Sequence, residues 1–216
     1  MCPVSHYNQL NQISQTIASL NPKKILDIGP GFGTYGVLSR EYLEVWGKEK
    51  NYNQWQKTID AIEVFPKYLT PLHDFIYNKI YVGNALKVLP TLKTKYDLIL
   101  LIDVLEHFSC KDGQKLIYLC KKKAKNIIVS TPRRMSDQKD TFGNSFETHL
   151  CQWQKKDFEK NKPNFRIPNE FSFIYFIGQD SKKVHKILQK EKTILYKEKI
   201  KNLIPFYQKI KRNSSK

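Results

Sequence analysis

Residues 24–33 constrain the fold more than any other segment, because they join a short apolar run to an acidic residue and a set of alternating glycines. Ile25, Leu26 and Ile28 suit the interior of a parallel sheet. The glycines that follow let the chain turn sharply and bring its backbone against a ligand where the next helix begins; they are Gly29, Gly31 and Gly33. The segment therefore predicts a strand, a ligand-binding turn and a helix of an α/β fold.

Asp27, which precedes the first glycine, indicates what kind of ligand the turn accepts. A carboxylate at this point repels a pyrophosphate but pairs with a cationic amino group. We therefore expect a nucleoside ligand that carries an ammonium. An ordinary strand-to-helix turn is the alternative interpretation.

The run Asp27-Ile28-Gly29-Pro30-Gly31-Phe32-Gly33 resembles the first motif of class I S-adenosylmethionine (SAM) dependent methyltransferases. In that family the loop wraps the methionine part of SAM, and the acidic side chain lies near the amino group. The resemblance implies SAM as cofactor, S-adenosylhomocysteine (SAH) as product, and cofactor-binding roles for Asp27, Gly29, Gly31 and Gly33.

A second predicted strand, 58–64, carries Glu63 near its carboxyl end, followed by Phe65. An acidic side chain there can accept hydrogen bonds from both ribose hydroxyls, so Glu63 and Phe65 are predicted cofactor residues. The interval from Gly33 exceeds the roughly 20 residues that are usual in dinucleotide folds, which indicates an insertion at the polar segment 46–54. The alternative for Glu63 is a solvated strand end.

A third predicted strand, 79–82, leads into Gly83-Asn84-Ala85, where methyltransferases commonly carry Gly-Asp-Ala. The resemblance implies that Asn84 and Ala85 contact the adenine, since an amide donates and accepts at the adenine edge. A turn asparagine is the alternative.

A fourth predicted strand, 97–102, runs into Asp103-Val104-Leu105-Glu106-His107. Asp-x-Leu-Glu-His after an apolar strand resembles methyltransferases that act on small molecules and glycans. The resemblance implies a place for Asp103 at the methionine end of the cofactor, and acceptor-facing places for Glu106 and His107. His107 could take the acceptor's proton or be a packed histidine, and Glu106 could instead interact with a helix dipole.

The loop after the fifth predicted strand, 126–130, lies where this fold builds its acceptor site. Arg133 and Arg134 stand out in a chain whose positive charge is mostly lysine. Guanidinium groups bind phosphate or carboxylate by paired hydrogen bonds, so we predict that they contact an anionic acceptor, with a solvated loop as the alternative. His149 is predicted to face the same cavity as a second catalytic histidine.

Asp103, Glu106, His107 and His149 have the residue types of a metal site. Their spacing resembles the Glu-x-x-Glu-His and later His of small-RNA 2′-O-methyltransferases, but Asp103 replaces a Glu of that family. Asp-x-Leu-Glu-His is common in enzymes without a metal. We therefore expect no metal, and keep these four residues as the alternative set.

The remaining segments predict an α/β fold, Rossmann-like and doubly wound, with a mostly parallel seven-stranded sheet and helices on both faces. Residues 6–20 have the apolar spacing of a helix that ends before Asn21-Pro22, and 164–167 with 171–177 predict an antiparallel hairpin. We expect an N-terminal helix at 1–20, a methyltransferase domain at 21–180 and a basic C-terminal extension at 181–216. Nicotinamide dehydrogenases usually need a second domain, for which 216 residues leave no room.

Composition predicts one cytoplasmic domain, since no apolar segment is long enough to span a bilayer and residues 1–6 lack a secretory pattern. The cysteines lack paired spacing and are interpreted as free thiols of a reducing compartment; they are Cys2, Cys110, Cys120 and Cys151. The oligomeric state stays open.

The net charge of +17 raises the question of a nucleic-acid partner. Abundant Lys, Asn, Ile and Tyr with scarce Arg also follow from an AT-rich coding sequence, so nucleic acid is not the favoured partner. The basic, partly amphipathic tail at 181–216 is expected to pack on the domain or a partner, with an anionic membrane surface or RNA as alternatives. Pro205 argues against one continuous helix there.

These features predict a SAM-dependent methyltransferase that acts on an oxygen or nitrogen of a small molecule or sugar, with an anionic acceptor as one variant. RNA methylation, including metal-assisted ribose 2′-O-methylation, is the second enzyme class. A non-catalytic SAM-binding scaffold that presents its basic tail to a partner is the third hypothesis.

Overall fold

The described part of the chain forms one seven-stranded sheet. The computed structural model describes residues 4–46 and 54–213, with side chains up to residue 200. The strands are β1 Lys24–Ile28, β2 Thr58–Glu63, β3 Lys79–Val82, β4 Tyr96–Ile102, β5 Ala124–Pro132, β6 Asn164–Ile167 and β7 Ser172–Gly178. Their order in the sheet is β3-β2-β1-β4-β5-β7-β6, so β2 and β3 are added on one side of β1 and the later strands on the other. The predicted strands and the α/β class are confirmed.

The first five strands are parallel, and β7 pairs antiparallel with both β5 and β6. The predicted hairpin is therefore confirmed. In the described ranges, six α-helices connect or flank these strands: α1 Leu10–Leu20, α2 Thr34–Arg40, α3 Pro71–Ile76, α4 Ala85–Thr91, α5 Cys110–Lys123 and α6 Lys155–Glu159. A seventh, α7 Ser181–Asn213, follows the sheet.

Both faces of the sheet are covered, which explains why its central strands are apolar runs without alternation. Leu98, Leu100 and Ile102 belong to one buried cluster, and Ile99 and Leu101 belong to the other. Side chains that alternate along β4 thus enter separate cores. This double burial fixes the strand register, and so fixes which residues end at the carboxyl edge of the sheet.

The first turns of α7 pack on α1. Val184 and Leu188 are buried in the same cluster as Ile13 and Ile17. Further along α7 the apolar side chains are largely exposed, with Leu195 at 55% and Tyr196 at 67%. None of the helices in the described ranges is both long and apolar enough to cross a bilayer.

Two sequence predictions about chain geometry are wrong. Helix α7 continues through Pro205 to Asn213, because proline removes one backbone hydrogen bond but leaves those around it able to form. Cys110 and Cys151 form a disulfide, because the fold brings together residues 41 positions apart. Cys120 is a buried free thiol, as predicted. The pairing removes the argument from cysteine usage to a reducing compartment.

Several predictions fall outside the described residues. They concern Cys2 and most of the proposed insertion, residues 47–53. The side chains of the tail beyond residue 200 lie outside them as well.

Candidate active site

One cavity of about 390 Å³ opens at the carboxyl edge of the parallel strands. Its lining includes Asp27 of β1, Glu63 at the end of β2 and Asp103 just after β4. The loop between β5 and α6 contributes Glu147 and His149. A cleft of this size outside a strand-order reversal is where open α/β sheets bind their ligands.

The glycine turn after β1 forms one side of the cavity. Gly29, Gly31 and Gly33 have φ angles of +68°, +55° and +83°, a region that other residues rarely adopt. A Cβ on Gly29 would lie 2.7 Å from Cγ2 of Val104, so this position has no room for a side chain. Gly29 and Gly31 line the cavity, whereas Gly33 is outside its lining and stands at the N-cap of α2.

Asp27 is buried and accepts a hydrogen bond of 2.7 Å from the Tyr77 hydroxyl. Burial raises the pKa of its carboxyl to about 6, and the Tyr77 hydrogen bond partly offsets this effect. A phenol is a neutral partner, so the charge of an ionised Asp27 is uncompensated. A cationic ligand group in the cavity would supply the missing counter-charge.

Glu63 lines the cavity and accepts a 2.8 Å hydrogen bond from the backbone N–H of Phe65. Burial, together with the nearby Glu147, raises the pKa of its carboxyl to about 7, and the Phe65 hydrogen bond acts in the opposite direction. Phe65 itself does not line the cavity but packs edge-on against Tyr68, which does. The structure thus places Glu63 at the site and Phe65 behind it.

Asn84 and Ala85 line the cavity at the start of α4. The Asn84 side-chain oxygen accepts a 2.9 Å hydrogen bond from the Leu86 N–H and so caps the helix. Its amide therefore has a structural role together with its place at the cavity.

Asp103 lines the cavity with both carboxyl oxygens already hydrogen-bonded. Oδ1 accepts from the Ser130 hydroxyl at 2.7 Å and Oδ2 from the Gln9 amide at 2.5 Å. Burial raises the pKa of the carboxyl, while hydrogen bonds from Ser130, Ser5 and Gln9 act in the opposite direction. The residue also has a positive φ of 52°, which turns the chain sharply at the end of β4.

Glu106, His107 and His149 come together on the side of the cavity that the β5–α6 loop covers. The two imidazole rings have centroids 5.0 Å apart. Burial raises the pKa of Glu106 well above its usual range, and its Oε2 has no hydrogen-bond partner among the described residues. Burial and the neighbouring His149 lower the pKa of His107 to about 4, so His107 is neutral at pH 7.

The structure does not bring Arg133 and Arg134 to the cavity. Neither residue lines it, and Arg134 is exposed. The Arg133 guanidinium instead lies over the Phe173 ring, 5.4 Å from its centroid. The arginines therefore give the cavity no positive charge.

The charge of the cavity is opposite to that of the chain. Its lining includes six carboxylic acids: Asp27, Glu63, Asp103, Glu106, Asp112 and Glu147. No Lys or Arg is found among the described residues that line it, although the chain has a net charge of +17. A concave surface of one sign concentrates ligands of the other, so this cavity favours cations.

Three important site residues have no predicted role in the sequence analysis. Tyr77 and Gln9 hold Asp27 and Asp103, and no local pattern links residues 50 or 94 positions apart. Glu147 raises the pKa of Glu63 and of Glu106. Its place two residues before His149 was the one available signal.

Solved methyltransferase structures share this fold at low sequence identity. An O-methyltransferase family protein from Burkholderia thailandensis aligns with a TM-score of 0.52 at 14% identity, over 79% of this chain and 57% of that one. The N-terminal domain of EvdMO1, solved in the presence of SAH and D-fucose, gives a TM-score of 0.55 at 12% identity, over 81% and 84% of the two chains.

The plantazolicin methyltransferase BamL, in complex with a triazolic desmethylPZN analog and SAH, gives a TM-score of 0.51 at 14% identity, over 71% of this chain and 60% of that one. The chain thus spans little more than half the length of the Burkholderia protein. No protein-family profile and no curated protein matches the sequence. These similarities establish the fold.

Proposed function

We propose that the protein is a SAM-dependent methyltransferase that acts on an oxygen or nitrogen of a small-molecule or sugar acceptor. The observation that carries this proposal is the acidic cavity at the carboxyl ends of β1, β2 and β4, whose described lining contains no Lys or Arg. SAM presents an ammonium and a sulfonium to such a cavity. A dinucleotide would bring a pyrophosphate, which the same carboxylates repel.

The residues of the cavity fit the parts of SAM. Asp27 would accept hydrogen bonds from the amino group, because it is a buried carboxylate with one neutral partner. Gly29 and Gly31 would let the backbone approach the methionine part, and Glu63 would accept from the ribose hydroxyls. Asn84 and Ala85 would lie at the adenine, and SAM would supply an activated methyl group on a positively charged sulfur.

His107 is the proposed base for the acceptor's proton. Its Nδ1 lies 3.4 Å from the Thr148 carbonyl, which can only accept, so Nδ1 carries the proton and Nε2 is free to act as base. A pKa near 4 makes it a weak base. Alignment of the acceptor with the methyl group, which contributes much of the rate in displacements of this type, would therefore matter more than proton transfer.

The cavity favours a neutral acceptor over the anionic variant. A phosphate or carboxylate would enter a space bounded by six carboxylic acids, and none of the described lining residues offers a guanidinium to bind it. RNA methylation is the second proposal, and the net charge of +17 supports it. RNA affinity that decreases steeply with salt would favour it.

Calorimetric titration of the purified protein tests the proposal, with SAM and SAH as ligands and NAD as the control. Micromolar binding of SAM and SAH without binding of NAD would support the methyltransferase and justify an acceptor screen. A folded, cofactor-free protein that binds neither adenosyl ligand would contradict it. The scaffold hypothesis survives if SAH binds and no acceptor class is methylated.

A further inference from the structure

A cluster of three potential metal ligands lies beside the proposed cofactor site. The nearest ligand atoms of Glu106, His107 and His149 all lie within 4.8 Å of one another. Three atoms with this spacing lie at most about 2.8 Å from a common centre, whereas a metal-to-ligand distance is about 2.1 Å. Side-chain movements of less than about 1 Å would therefore bring all three to a single ion.

Both histidines are oriented as metal-binding histidines usually are. His107 Nδ1 faces the Thr148 carbonyl at 3.4 Å, and His149 Nδ1 faces the Ser136 carbonyl at 2.9 Å. A carbonyl accepts only, so Nδ1 is the protonated nitrogen in each ring and Nε2 has the free lone pair. In each ring the hydrogen bond from Nδ1 to the carbonyl fixes the tautomer in which Nε2 can bind a metal.

Glu106 supplies the feature that packing alone does not explain. The residue is 2% exposed, and its Oε2 lacks a hydrogen-bond partner among the described residues. A buried carboxyl oxygen without a hydrogen-bond partner is costly, and a divalent cation would remove that cost.

The segments that carry the ligands are tied to each other. The backbone carbonyl of Glu106 accepts from the N–H groups of Leu150 and Cys151, at 2.7 and 3.2 Å. The disulfide between Cys110 and Cys151 joins the same two segments covalently. Rigid support of this kind is what holds a metal site in its binding geometry.

We propose that Glu106, His107 and His149 bind one divalent first-row transition metal ion, of the class that includes Mn²⁺, Co²⁺ and Zn²⁺. Two imidazoles and a carboxylate are a donor set for these ions, and three protein ligands leave positions open for water or a substrate oxygen. The role of the ion rests on the proposed function: at the acceptor end of the cavity it would hold an acceptor hydroxyl and lower its pKa. It would do so in place of proton transfer to His107, because an Nε2 bound to the ion has no lone pair left for a proton.

Cobalt titration of tag-free, chelator-treated protein tests the site, by calorimetry and by the visible absorption of bound Co²⁺. We expect one equivalent of Co²⁺ in the wild type. Glu106→Gln, His107→Ala and His149→Ala should each weaken binding at least about tenfold. His185→Ala is the matched control, because it removes an exposed histidine of α7 outside the cavity and should leave the affinity unchanged.

Circular dichroism and SAH affinity separate the possible outcomes. Absence of Co²⁺ binding in a wild type that binds SAH would refute the metal site and leave the cofactor proposal intact. Binding of Co²⁺ by a folded protein that does not bind SAH would support the metal site and contradict the cofactor proposal. Equal Co²⁺ binding by the wild type and the nearly isosteric Glu106→Gln variant, both folded, would assign the ion to another place and overturn the proposal.

Discussion

Replacing Asp27 by Asn should strengthen the fold and weaken cofactor binding. Burial raises the carboxyl pKa from 3.8 to about 6. A shift of roughly two pKa units at about 1.4 kcal/mol each makes the ionised Asp27 cost about 3 kcal/mol in the free protein. Asn keeps an oxygen for the Tyr77 hydroxyl and removes the charge, so the free energy of unfolding should rise by up to about 3 kcal/mol at pH 8.

The sign of the effect depends on pH. A carboxyl whose folded-state pKa is raised favours folding below the unfolded value of 3.8, and this contribution is lost as pH rises through about 6. The stability gain of Asp27→Asn should therefore be full at pH 8 and small at pH 4. Urea unfolding of the ligand-free protein at both values measures it.

Cofactor affinity should change in the opposite direction. Loss of a hydrogen bond to a charged group costs about 1.5–3 kcal/mol, or about ten- to hundredfold in the SAH dissociation constant by calorimetry. Asp60→Asn is the matched control: Asp60 is equally buried at 2% exposure and accepts from the Tyr96 hydroxyl at 2.8 Å, but does not line the cavity. Equal SAH affinities for the two variants, or a less stable Asp27→Asn protein at pH 8, would refute the reasoning.

Three further predictions concern the turn, the disulfide and the ribose contact. Gly29→Ala should weaken SAH binding and lower the free energy of unfolding by more than Gly143→Ala does. Both glycines have a positive φ, but only a Cβ at Gly29 would meet a neighbour, at 2.7 Å. Equal losses for the two variants in calorimetry and urea unfolding would contradict this. Reductant should lower the free energy of unfolding of the wild type by at most about 4 kcal/mol, because Cys110 and Cys151 are separated by 41 residues. It should not affect a variant in which both cysteines are replaced by serine. Wild-type urea unfolding curves that do not change with reductant would refute the disulfide. SAH affinity should decrease as pH falls through about 7, because Glu63 then takes up a proton and loses the charge with which it accepts hydrogen bonds from the ribose. An SAH affinity that calorimetry finds unchanged from pH 8 to pH 6 would exclude Glu63 as the ribose contact.

The sheet could be predicted because its signals are local. Each parallel strand is a short apolar run bounded by polar or glycine positions, and double burial requires such runs. Asp27, Glu63 and Asp103 were located for the same reason, since a residue at the carboxyl end of a parallel strand reaches the ligand edge of the sheet whatever the loops do.

The loop residues could not be placed in this way. Arg133 and Arg134 follow β5 as His149 does, yet His149 lines the cavity and the arginines do not. Their directions depend on how the β5–α6 loop packs, which no periodicity records. The pairing of Cys110 with Cys151 was missed for a related reason, since cysteine spacing does not reveal which residues meet in space.

The sequence by itself determined the apolar strands with their polar boundaries, the glycine turn and the acidic residues at the strand ends. These features follow from short-range burial and backbone conformation. Only the tertiary structure decided that the acidic side chains share one cavity, in whose described lining there is no Lys or Arg although the chain has a net charge of +17. It also decided that Tyr77 is the partner of Asp27, and that Glu106 meets His107 and His149. Charge compensation inside a cavity is a property of distances in space, which a linear pattern of residues does not contain.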